Sequence, residues 1–136
     1  MRRSTTVALA LALWIGASSH AGEPSRASAS QARAAAAFED FARAFMSRVR
    51  SQAERGRRQP KVAPGPGSAV FTYRGYGDGF RTELRPTGEP SAPFVGLLHY
   101  TELVYSCRDL EGGSCTVADS VPVTEVFRYR GGRWIY

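Results

Sequence analysis

The sequence predicts an α+β domain in which one amphipathic helix packs across a curved antiparallel sheet of four to five strands. Three observations predict it. In the first third of the chain, large apolar residues recur at steps of three and four, the helical period. After residue 67 the pattern changes to short runs rich in β-branched and aromatic residues, punctuated by Gly and Pro, as strands and turns require. The order, one helix and then strands, favours segregated α+β packing over an alternating α/β fold.

The chain has 136 residues. Arg2 and Arg3 precede an apolar run over residues 7–16 (VALALALWIG), and Ser19-His20-Ala21 follows. This is the pattern of a secretory signal peptide over residues 1–21. The alternative is an uncleaved anchor. Against it, the apolar run covers ten residues, where a spanning helix needs about 20. Cleavage after Ala21 would remove two arginines and no carboxylate, leaving 16 basic and 12 acidic side chains, a net +4. That balance is mild for a dedicated nucleic-acid binder. Residues 22–30 (GEPSRASAS) read as a flexible leader, and 31–136 as a single domain of modest core.

Ser28 and Gln31 fit a capping box. The helix that follows is expected to reach about Arg55, with Phe38, Phe41, Phe45, Val49 and Ala53 as its apolar stripe and Ala34, Ala42 and Met46 beside it. Gly56 supplies a stop. Residues 56–67 (GRRQPKVAPGPG) read as an irregular linker, because three prolines and three glycines oppose regular structure. Residues 68–74 and 80–85 read as two strands joined by a turn over GYGDG, residues 75–79. Residues 94–107 form the longest strand candidate, with Gly96 marking a bulge or a close contact. A further strand lies within 116–130, best over VTEVFRYR, and 133–136 closes the chain. This element order resembles the layouts of cystatin-like and nuclear-transport-factor-like folds. The resemblance implies a helix lying in a cupped sheet, an arrangement that often holds small molecules between the two.

The last ten residues, FRYRGGRWIY, decide what the interior is made of. With Gly131-Gly132 as a two-residue hairpin turn, Arg130 faces Arg133 and Tyr129 faces Trp134. Alternation then places Phe127, Tyr129, Trp134 and Tyr136 on one side and Arg128, Arg130 and Arg133 on the other, with Ile135. The rings form core under Phe38, Phe41 and Phe45. The arginines form an outer face that is either solvated or a binding place for an anion, with Glu102 or Glu125 as the expected counter-charge. A single copy flanked by strand formers argues against a disordered nucleic-acid-binding tail.

Cys107 and Cys115 are the two cysteines, and in an exported chain they are expected to form a disulfide across the Gly112-Gly113 reversal. His99 is the one histidine left after processing, too few for a histidine-based metal site and without a G-x-S-x-G nucleophile. No cofactor and no metal are expected. Glu83, Glu102 and Glu125 could meet across the sheet, yet nothing in their spacing demands acid–base work. The cluster Arg48, Arg50, Arg55, Arg57, Arg58 and Lys61 reads as a solvated helix end and linker. The inventory therefore describes a small exported, non-catalytic accessory or binding protein of a bacterial periplasm or extracellular space, whose partner is a protein or an anionic surface. The alternative is a small-molecule-binding or weakly catalytic pocket between helix and sheet, lined by His99, Tyr100 and Glu102.

Overall fold

A computed structural model describes residues 26–64, 69–109 and 114–136. The expected signal segment, residues 22–25 of the expected leader and the Gly112-Gly113 reversal lie outside the described residues. One helix, α1 (Arg26–Arg58), precedes five strands: β1 (Lys61–Pro64), β2 (Ala69–Pro86), β3 (Phe94–Cys107), β4 (Cys115–Arg130) and β5 (Arg133–Ile135). The strands lie in one open sheet in chain order, each antiparallel to the next. The fold is α+β, with a single helix packed on a five-stranded antiparallel sheet. No described helix is long and apolar enough to cross a membrane.

The helix is longer at both ends than the expected span. Gly56 does not stop it. Arg55, Arg57 and Arg58 occupy the last turn, where the helix dipole favours cations. Gln59 donates its amide to the Gly56 carbonyl at 3.1 Å, and Pro60 then disfavours a further turn. The line of deepest burial is Ala34, Phe38, Ala42 and Met46, with Phe41, Phe45 and Val49 partly buried at its flank. Of the expected stripe Phe38 goes deepest, and the residues expected beside it, Ala34, Ala42 and Met46, are as fully buried. Ala34 and Ala42 are small enough to let the helix axis approach the sheet, so their line becomes the contact line.

Phe38 sits where that approach is closest. Gly96, in the middle strand, carries no side chain on the face beneath the helix, and a Cβ there would penetrate the Phe38 ring. Gly96 is thus a close contact and not a bulge, for its pairing with Leu84 and Phe127 is unbroken. The remaining walls around Phe38 are Trp134 at 4.5 Å, Phe127 at 6.0 Å and Phe41 at 6.2 Å between ring centroids. Phe41 and Phe45 meet Phe127 edge-on at 4.8 and 5.4 Å, a favoured aromatic geometry.

Two stretches expected to be irregular are strands. Within the expected linker, Lys61–Pro64 pairs with residues 69–72 of β2. An edge strand needs partners on one side only, and Pro64 stands at its end, where a missing donor costs least. GYGDG is not a turn. β2 runs straight through it, and the pairing slips between Tyr76–Glu102 and Phe80–Tyr100, so residues 77–79 oppose Thr101 alone. Arg50 of α1 holds this bulge: its Nη2 donates to the carbonyls of Gly77 at 2.9 Å and Asp78 at 2.7 Å. A side chain 27 residues upstream of Gly77 thereby satisfies carbonyls that the bulge takes out of the ladder.

At the far end of the β3–β4 pair, Cys107 and Cys115 form a disulfide between directly opposed residues, with Cα atoms 4.1 Å apart.

The Phe38–Gly96 fit gives a direct test. Gly96→Ala is expected to destabilise the domain by about 1–3 kcal/mol, the cost of overpacking, because Phe38 is 1% exposed and has no room to retreat. Phe38→Ala is expected to cost about 3–5 kcal/mol. In a Phe38→Leu background the Gly96→Ala penalty shrinks, and denaturant unfolding of the four proteins reads the coupling.

Candidate functional site

The terminal hairpin sorts the chemistry of the sheet. Gly131 and Gly132 have φ of 55° and 76°, the left-handed pair that a tight two-residue turn of this twist requires. The register is Arg130 opposite Arg133, Tyr129 opposite Trp134 and Arg128 opposite Ile135. Phe127 and Trp134 are buried under α1. Tyr136 packs edge-on against Phe127 at 5.0 Å but remains 76% exposed. Arg128, Arg130 and Arg133 stand exposed on the opposite face.

That outer face is mixed in character. The row Arg85, Val95, Arg128, Ile135 crosses four adjacent strands. Val126 and Ile135 are 50% and 41% exposed beside the arginines. Arg85 donates to Glu83 at 2.7 Å, and this contact holds the Glu83 carboxyl below its usual range. Among the described residues, Arg128, Arg130 and Arg133 have no carboxylate within ion-pair distance. The two expected counter-charges are engaged elsewhere. Glu102 pairs with Arg74 at 3.1 Å. Glu125 accepts hydrogen bonds from the Tyr100 hydroxyl at 3.3 Å and from the Tyr136 hydroxyl.

His99, Tyr100 and Glu102 do not line one pocket: His99 and Tyr100 border an open hollow of about 380 Å³ whose lining does not include Glu102. Alternation puts Tyr100 and Glu102 on the helix side and His99 on the outer face. There the His99 Nδ1 lies 2.9 Å from the Thr124 hydroxyl, and Nε2 lies 3.5 Å from Glu83 Oε2. Tyr100 meets Tyr76 edge-on at 5.7 Å. Burial pushes both phenols above their ordinary range, and Glu125 adds to the effect at Tyr100. The hydrogen bond to Glu125 does the same for Tyr136. Glu83 lies on the face opposite Glu102 and Glu125, so the three carboxylates form no cluster. Among the described residues no group of three or more His, Cys, Asp or Glu side chains is placed to hold a metal ion.

A larger cleft lies between the second half of α1 and the bulged stretch of β2. Its volume is about 540 Å³. Its helix wall carries Arg43, Ser47, Arg50, Glu54 and Arg57. Tyr73, Arg74, Tyr76 and Tyr105 form much of the opposite wall. A neighbouring hollow of about 460 Å³ shares Tyr73, Arg74 and Tyr76 and extends towards Lys61. The spacing Arg43, Arg50, Arg57 repeats every seven residues and places the three on one helix face, a signal present in the sequence but hidden there because Arg50 and Arg57 also belong to the basic run at the helix end. No protein-family model, curated protein or solved structure matches the chain.

The tyrosines give a pH signature. For Tyr76, Tyr100 and Tyr136 the native state favours the neutral phenol, so their contribution to stability is complete below pH 10.0, the ordinary tyrosine value. It is lost as pH rises from there towards the native-state values. Phenolate absorbance is expected to show these three ionising later in native protein than in urea, with the melting midpoint falling above about pH 10. Coincident titration in the two states would contradict the assignment.

Proposed function

We propose that this chain is a small exported, non-catalytic binding protein of a bacterial periplasm or extracellular space, and that the outer face of its sheet meets an anionic surface. One observation carries the reading: Arg128, Arg130 and Arg133 stand together, exposed and without a carboxylate partner among the described residues, beside exposed Val126 and Ile135. Opposed like charges cost stability in a strand pair, and Arg130 faces Arg133 directly. An external anion relieves that cost. Guanidinium groups bind phosphate and carboxylate in bidentate fashion, and interleaved aliphatic side chains suit a surface that is not purely polar.

Export rests on the signal-like N-terminus together with the disulfide, a bond that persists in oxidising compartments. The non-catalytic part rests on geometry. The single histidine outside the signal-like segment is tied to Thr124 and Glu83 on an open sheet face, and the carboxylates hold separate structural partners.

Vesicles containing phosphatidylglycerol test the surface. Retention is expected at about 10 mM salt and its loss at about 1 M, where the Debye length falls from about 30 to about 3 Å. Replacing Arg128, Arg130 and Arg133 by Gln is expected to abolish retention, while Gln at Arg48, Arg55 and Arg58 leaves most of it. Absence of retention at low salt, or equal losses in both triple variants, overturns the reading. Export has its own check. Secreted from a bacterial host, the chain is expected to have the mass of residues 22–136 and to gain two hydrogens on reduction.

A further inference from the structure

Arg50 is the pivot of a second site, independent of the outer face. It is partly buried, and among the described residues its two hydrogen bonds go to backbone carbonyls, those of Gly77 and Asp78. These carbonyls fix the guanidinium but are neutral, so its charge is not cancelled by them. Among the described residues no carboxylate lies within ion-pair distance of it. A guanidinium has five donors, and the bonds from Nη2 leave Nε and Nη1 for another acceptor. Arg57 lies along the same helix face of the cleft, and Arg74 reaches it from β2, oriented by Glu102 at 3.1 Å. Glu54 and Asp78 also line the space. Arg43 and Arg74 are already paired, with Asp40 and Glu102, so Arg50 and Arg57 are the guanidinium groups of the cleft that a ligand can engage.

The opposite wall is aromatic. Tyr73 and Tyr105 are stacked, with centroids 4.8 Å apart and planes within 8°, and Tyr76 borders both hollows. Flat rings beside fixed guanidinium groups present a face for stacking and donors for an acid in one place. The cleft volume of about 540 Å³ falls in the range of small-molecule sites, roughly 300–1,000 Å³. We infer that the cleft between α1 and β2 binds a small organic anion bearing a planar ring, with Arg50 and Arg57 holding the anionic group and the stacked Tyr73–Tyr105 pair the ring.

The anionic group can be a carboxylate or a phosphate ester, since both offer two oxygens to the paired donors of a guanidinium. The experiment therefore titrates the full-length protein with 2-naphthoate and 2-naphthyl phosphate, and with 2-naphthol and inorganic phosphate as the ring alone and the anion alone. Binding is read by calorimetry. At least one ring-bearing anion is expected to bind saturably at one site, about tenfold or more tighter than either fragment. Arg57→Gln and Tyr73→Leu are each expected to weaken it about tenfold, with the melting midpoint retained. Arg50→Gln is expected to abolish it, but that variant also releases the bulge, so the first two carry the decision. The variant with Gln at 128, 130 and 133 is expected to bind as the wild type does. No saturable binding of either naphthyl anion, binding unchanged in both Arg57→Gln and Tyr73→Leu, or binding lost in the outer-face variant overturns the inference.

Discussion

The structure depends on the seating of the Phe38 ring against the bare backbone of Gly96. The helix can lie close to the sheet because β3 offers no side chain at that point and because Ala34 and Ala42 are small on the facing line. Close approach brings Phe41 and Phe45 down onto Phe127 and brings Trp134 against Phe38. A larger residue at 96 would lift the helix, and the aromatic cluster would lose its interdigitation. The interior of this small domain is therefore a set of rings assembled around one vacancy on the middle strand. Dense packing of this kind makes the contact sensitive to single methyl groups.

That seating has a consequence at the other end of the helix. With the first half of α1 fixed over β3 and β4, the second half is carried alongside β2. Arg50 reaches the bulge there and completes its hydrogen bonding. The bulge and the helix together leave a cleft instead of a closed core. The helix thus divides its labour by chemistry: alanine, phenylalanine and methionine face the sheet, while arginines at every seventh position face the cleft. On the sheet, alternation does the same. Each ring that enters the core commits its neighbours in sequence to the outer face, which is how the arginines of the last hairpin come to stand together.

The terminal hairpin was legible because its information is local: two adjacent glycines select the turn, and the turn sets the register of every residue outward from it. The disulfide was legible for a similar reason, since two cysteines leave one pairing. The separation of His99 from Tyr100 and Glu102 also follows from alternation alone, once 94–107 is a strand. Other features were not legible because their causes are distant. GYGDG has the composition of a turn, and only Arg50, reaching across from the helix, makes it a bulge within a continuous strand. Residues 61–64 have the composition of a linker, and only their position at the sheet edge lets them pair. The order of burial on the helix depended on how near the sheet could come, which Gly96 decides.

The most direct test of this account is the nuclear magnetic resonance signal of Gly96. The α-hydrogen that stands where a side chain would begin points into the face of the Phe38 ring. It is expected to be shifted strongly upfield of its partner and to show nuclear Overhauser contacts to the Phe38 ring protons. Two Gly96 α-hydrogens at ordinary strand positions, without contacts to Phe38, would contradict the central claim.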